Sequence, residues 1–327
     1  MSVLIQNLPL EPGPNGRFTI NDGNRPQLHA IHPWTLHHLY HDECRRAFRE
    51  ADGQLPRVAE GEEMIARGYR SFHGLLEQSE VDFLTGMIDQ RIADSGGAPA
   101  RDEWGWSLPW NMLRIQAVRP IIARVFNGVL GDVLTQYFGC HFRLFSLSLT
   151  RGFPGSAQGS FTWHRDVEPP QQTHLMLYLT PSSDEGGGTS FIDLEETRRA
   201  ATAGYHFPAD AERVTHLRDL GPDGGAFHPD KPTVAPGDGI LFGAPRVLHK
   251  GMLPTAGHRD VMTALILPSP VPWEEYLARG TARVFVTQHP GVSSIDPFED
   301  RVIERKPLTH VPDWALAGDL FPPNYQG

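Results

Sequence analysis

The sequence predicts a mainly β protein with a helical N-terminal layer: a jelly roll, or double-stranded β-helix, of cupin-like type. Three observations predict it. Helical periodicity is confined to the first 140 or so residues. From about residue 142 the apolar period drops to two. From there on, short apolar runs are punctuated by turn residues, and 33 glycines and 29 prolines in 327 residues fit a loop-rich fold of many short strands.

Residues 1–34 are rich in Pro, Gly and Asn, show no period and read as an extended arm. In residues 35–50, Leu36, Leu39, Tyr40, Ala47 and Phe48 fall near one helical face. A second helix is expected to start at Ser79, with Asp82 three positions on, to carry Phe83, Leu84, Met87, Ile88 and Ile92 as its apolar stripe, and to stop at Gly96. A third is expected from Pro120 to Tyr137, with Gly139 beyond its end. In the first strand, 142–150, Phe145, Leu147 and Leu149 are expected on one face and Ser146, Ser148 and Thr150 on the other. The polar face either lines the barrel or meets solvent. Further strands are expected at 173–180, 189–194, 237–243, 246–253, 259–268 and 281–288. The organisation that follows is an arm and helix over 1–67, then one double-stranded β-helix domain over 68–327 with an insertion at about 195–232.

Composition narrows the function. The net charge is −10 with no basic run, which lacks the electrostatic footprint of a nucleic-acid binder. No apolar stretch approaches the length of a membrane helix. The N-terminus lacks the features of a secretory signal. Two cysteines, Cys44 and Cys140, make no disulfide framework and suit a reducing cytoplasm. Sixteen histidines beside two cysteines point to nitrogen and oxygen metal ligands.

The informative pattern is His-x-Asp. In an extended segment residues i and i+2 share a face, so one imidazole and one carboxylate can reach the same ion. A distant His would complete a facial triad of the kind that holds non-haem Fe(II) with open positions. The pattern occurs three times, at 164–166, 228–230 and 258–260. A jelly roll needs several strands between the two parts of such a triad. Only His164 and Asp166 have a suitable partner, His249, 83 residues past the Asp. Arg259 follows ten residues after His249. Fe(II) with two neutral His and one Asp carries about +1, and a dicarboxylate such as 2-oxoglutarate brings about −2. One more buried cation closes the balance, and Arg grips a carboxylate with two parallel hydrogen bonds. Thr263 shares the Arg259 face.

These segments carry a resemblance. WHRD (163–166), YLT with DEGGGTSF (178–191), PGDGILFG (236–243), LHKG (248–251) and GHRDV (257–261) resemble Fe(II)/2-oxoglutarate-dependent dioxygenases, the phytanoyl-CoA dioxygenase-like branch in particular. The opening Gly68-Tyr69, Gly74-Leu75-Leu76 and Glu80-Val81 are similar to that branch as well, and the Gly-Gly-x-Thr element is similar to prolyl-hydroxylase-type relatives. The likeness spans roughly 68–270. It implies Fe(II) on His164, Asp166 and His249, 2-oxoglutarate held by Arg259, dioxygen as co-substrate, and release of succinate and CO2. Because Asp166 is present, it implies hydroxylation of a small organic molecule, an amino acid or natural-product-type metabolite, rather than halogenation. Thr189, after the glycines, is either a cofactor-pocket residue or a consequence of turn chemistry. Trp104, Trp106 and Trp110 form either a clamped loop or a lid.

Two other functions compete. The same triad can hold zinc or another metal in a cupin-type enzyme that uses no 2-oxoglutarate. A metal-free binding module on the same fold would not need an intact triad. Arg259 favours the oxygenase, since a zinc site has no use for a buried Arg there.

Overall fold

Leu36, Tyr40, Cys44 and Phe48 recur every fourth residue along helix α1 (Pro33–Glu50), and all four are buried. The structure, a computed structural model, describes residues 11–12, 18–19, 33–96, 101–102, 105–107, 115–155, 159–166, 169–220, 227–278, 293–296 and 301–304. The arm over 1–34, the 281–288 strand and the side chains of Trp104, Trp106 and Trp110 lie outside these, apart from a short pairing of 11–12 with 18–19 and the last two arm residues, 33 and 34, which open α1.

Helix α2 (Ala59–Arg67) ends at Gly68, whose φ of +81° is the left-handed turn that favours glycine. That turn feeds strand β1 (Tyr69–Phe72). Neither element has a long enough apolar period to announce itself. Helix α3 (Gln78–Asp94) begins earlier than Ser79: the Glu77 backbone N–H donates to the Glu80 carboxylate at 2.8 Å, and Asp82 accepts from Gln78 instead. Its buried stripe is Val81, Leu84 and Ile88, with Phe83 exposed. The expected helix over 120–137 is two helices, α4 (Arg119–Phe126) and α5 (Val129–Phe138), parted at Asn127-Gly128, two poor helix formers.

Strand β2 (Gly105–Ser107) is a short edge, β3 (His141–Gly152) a long strand. Then come β4 (Thr173–Tyr178), β5 (Gly188–Phe191), helix α6 (Leu194–Thr202), β6 (Gly239–Phe242), β7 (His249–Met252), β8 (Arg259–Ser269) and helix α7 (Trp273–Ala278). Helix α6 opens the stretch expected as an insertion.

One sheet has the order β1-β6-β4-β8-β3-β2, extended at its edge by 101–102. The other is built on β5 paired with β7, flanked by bridges from His164 to His249 and from Asp230 to Phe191. The chain therefore passes β3, the His164 segment, β4, β5, the Asp230 segment, β6, β7, β8. It changes sheet at every step but one, from β5 to the Asp230 segment. That connectivity is a double-stranded β-helix.

The large sheet has two unlike faces. Leu147, Leu149, Leu175, Leu177, Leu241, Met262, Ala264 and Ile266 join one apolar core with residues of α1, α3, α4 and α5. The alternate residues face the second sheet. Cross-strand register sets them in rows: Ser146, Leu265, His174 and Phe242; then Ser148, Thr263, Met176 and Ile240; then Thr150, Val261 and Tyr178. The Ser and Thr positions of β3 thus face the barrel interior, not solvent. Phe145 does not share the Leu147 face. The register against β8 slips between Leu265 and Ile266, leaving Phe145 as the extra residue of a bulge, and it packs with Leu265 and Leu267.

Candidate metal centre and anion pocket

His164 and His249 sit directly opposite each other and exchange both backbone hydrogen bonds at 3.0 Å. Their rings are 4.4 Å apart between centroids. Each Nδ1 donates to the carbonyl two residues earlier, Thr162 at 2.8 Å and Val247 at 3.0 Å. Those bonds fix the tautomer, so both Nε2 lone pairs point inward.

Asp166 is the i+2 partner of His164, and its backbone N–H is tied to the Ala244 carbonyl at 3.1 Å. Its Oδ1 lies 3.2 Å from His164 Nε2 and 3.9 Å from His249 Nε2. All three ligand atoms fall within 4.8 Å of one another, and among the described residues no other group of three His, Cys, Asp or Glu side chains does so. Neighbouring ligands on an octahedral ion with bonds of about 2.1 Å stand about 3 Å apart, so two imidazoles and a carboxylate here fit a divalent cation with small adjustments.

Electrostatics suit the same role. Burial, with the His164 ring beside it, pushes His249 down to about 3, leaving it a neutral ligand. Burial alone would raise the Asp166 carboxyl, but the imidazoles of His164, His249 and His174 around it hold it well below the usual carboxylate range.

Arg259 starts β8 and is buried. Its Nη2 donates to the Tyr178 hydroxyl at 3.2 Å and to Thr189 Oγ1 at 3.1 Å, and those two hydroxyls bond each other at 2.9 Å. Its Nε is buried without a hydrogen-bond partner, and no carboxylate among the described residues pairs with it. A buried cation with a spare donor is the arrangement an incoming carboxylate would complete. Thr189 is held there by its turn: Gly187 has φ +79°, and a Cβ on it would lie 2.3 Å from the Met252 carbonyl, so the strand entry demands glycine. Thr263 faces the same interior, between Ser148 and Met176.

The other His-x-Asp copies are placed differently. His228 is exposed and bonds Glu196, while Asp230 bonds Arg67 and Tyr69. Asp260 is fully buried in a two-pronged pair with Arg151, at 2.7 and 2.6 Å. Trp163, beside the triad in sequence, packs outward with Ile192, Leu217 and Leu248.

Sequence reasoning missed His174 and Tyr178. The signal was there: in THLMLYLT, His174, Met176 and Tyr178 are alternate residues and share a face. His174 Nδ1 lies 3.7 Å from Asp166 Oδ2, and burial lowers its basicity despite that carboxylate.

No known family profile matches the sequence, and no curated protein matches it. Solved structures do. The non-heme alpha-ketoglutarate-dependent epimerase SnoN of nogalamycin biosynthesis is 16% identical, with a TM-score of 0.44 over 64% of this chain and 79% of that one. EctD from S. alaskensis with 2-oxoglutarate and 5-hydroxyectoine is 17% identical, with a TM-score of 0.45 over 65% and 77%. HygX from Streptomyces hygroscopicus with nickel and 2-oxoglutarate is 15% identical, with a TM-score of 0.42 over 66% and 88%.

Proposed function

We propose that this protein is an Fe(II)- and 2-oxoglutarate-dependent oxygenase that hydroxylates a small organic substrate. The observation that carries the reading is Arg259: a buried, carboxylate-free guanidinium with an unused Nε, facing the same barrel interior as the His164, Asp166 and His249 triad. The zinc alternative gives that residue no task.

In this reading His164, Asp166 and His249 hold Fe(II) from one side and leave the remaining positions open. Arg259 binds the distal carboxylate of 2-oxoglutarate, with the Tyr178 and Thr189 hydroxyls beside its Nη2. Phe191, Ile240, Phe242 and Val261 wall the interior and exclude water. The iron and 2-oxoglutarate together supply, from dioxygen, an oxidant for a C–H bond, with succinate and CO2 released. Asp166 occupies the place that a halide would need, which favours hydroxylation. A reducing cytoplasm suits the two buried thiols, Cys44 and Cys140.

The test is succinate release from 2-oxoglutarate by the protein with Fe(II), ascorbate and oxygen, across candidate small molecules. Succinate formed only with Fe(II) and oxygen is the expected result. Full turnover of a substrate by the zinc form without oxygen would overturn the reading, because zinc has no redox couple for dioxygen.

A further inference from the structure

His174 stands on the inner face of β4, in one row with Phe242, whose ring meets it edge-on at 5.4 Å. Its two nitrogens look in different directions. Nδ1 faces Asp166 Oδ2 at 3.7 Å, whereas His164 is met by the other oxygen, Oδ1. Nε2 faces the amide nitrogen of Gln172 at 3.0 Å, and Gln172 is buried at 1% exposure. An amide N–H can only donate, so His174 Nε2 accepts. The ring proton of the neutral imidazole is then on Nδ1, 3.7 Å from the nearer carboxylate oxygen, a gap that a small rotation would close to a hydrogen bond. His174 is not one of the three converging ligands.

We propose that His174 is a positioning residue for the metal carboxylate, engaging Asp166 Oδ2 through Nδ1–H so that Asp166 offers the ion a single oxygen. The role rests on reading His164, Asp166 and His249 as a metal site. Its physical basis is general: a ligating carboxylate left without its outer hydrogen bond can swing or chelate through both oxygens. That lowers affinity and fills a position meant to stay open. Losing such an outer partner typically weakens metal binding about 10- to 100-fold. Gln172 acts one step further out, by selecting the tautomer.

The variants are His174→Leu, which removes the donor, and His174→Asn, whose Nδ2–H stands close to the place of the imidazole Nδ1–H. The probe is Co(II), titrated against the full-length protein and followed by its visible absorption. The Leu variant is expected to bind Co(II) about 10-fold or more weakly than the native protein, with an altered band. The Asn variant is expected to stay within about threefold of native, with the native band. Equal affinity and an unchanged band in the Leu variant would overturn this role alone. A native protein that binds no Co(II) would overturn the metal-site reading and this role with it. A second measurement does not depend on the Leu variant folding. In metal-free native protein carrying 15N-histidine, the His174 ring, assigned by its loss in His174→Asn, is expected as the Nδ1–H tautomer. An Nε2–H tautomer would overturn the proposal.

Discussion

The tripeptide His-Arg-Asp occurs twice in this chain, at 164–166 and 258–260, and the two copies are turned opposite ways. In the first, His164 and Asp166 point into the barrel, and Arg165 points away, donating to the Pro245 carbonyl at 2.7 Å with its guanidinium over the Phe207 ring at 4.3 Å. In the second, Arg259 points in toward Tyr178 and Thr189, and Asp260 points away into Arg151. Extended chain puts residue i+1 opposite i and i+2, so a one-residue change of phase exchanges a proposed metal-ligand pair for a proposed anion-binding residue on the inner face. Three residue types therefore supply both halves of the proposed site, and orientation alone separates their roles.

The largest effect is expected from removing the inward groups of the first copy. His164→Ala, Asp166→Ala and His249→Ala should each weaken divalent-metal binding by about 100-fold, as read by Co(II) titration, since each removes one of the three proposed ligands. Metal retained by His164→Ala but lost in His228→Ala would mean that a different copy is the ligand set. Next in size is the outward Asp of the second copy. Asp260→Ala leaves Arg151, among the described residues, with only the exposed Asp89 as acidic partner and should cost about 3–5 kcal/mol of folding stability by denaturant unfolding. Metal affinity in the protein that remains folded should change far less.

A smaller effect sharpens the contrast through pH. An unfolded His takes up its proton near 6.5, whereas His249 in the metal-free fold does so only near 3. Protons therefore favour unfolding between those values. Stability is full above about pH 6.5 and falls as pH drops, by about 3 kcal/mol from this group at pH 4. Denaturant midpoints of the metal-free protein should fall in that direction, and His249→Gln should remove part of the fall, with His38, lowered to about 4 by burial, supplying a further part. The smallest effect is expected at His228, exposed on the surface: His228→Ala should leave metal binding intact and shift stability by under about 0.5 kcal/mol.

Much of this was legible in the sequence because it rests on period two. The alternation of Ser146, Ser148 and Thr150 against Leu147 and Leu149 placed β3, and strand count between Asp166 and His249 separated one His-x-Asp copy from the others. Alternation fails where the ladder slips. Nothing local marks the bulge at Phe145, so its side chain was assigned to the wrong face. Which face looks inward is also a tertiary fact: the Ser face became interior only because α1, α3, α4 and α5 cover the other. Short elements escaped for want of length. Helix α2 buries only Gly61 and Met64, too little for a period to show. The break at Asn127-Gly128 was masked by good apolar spacing on both sides of it.

In the proposed site the phase-shifted second copy completes the first by binding the cosubstrate. The most direct measurement titrates 2-oxoglutarate into the Fe(II)-loaded protein without oxygen, followed by its metal-to-ligand charge-transfer absorbance, for the native protein and Arg259→Ala. Arg259→Ala should lose about 2–5 kcal/mol of 2-oxoglutarate binding, roughly 30-fold to several-thousand-fold, with iron affinity little changed and only partial rescue in Arg259→Lys. A monoanionic 2-oxo acid, which presents no second carboxylate, should be far less affected. Unchanged 2-oxoglutarate affinity in Arg259→Ala would remove this residue from the cosubstrate site and return the triad to the zinc-enzyme alternative.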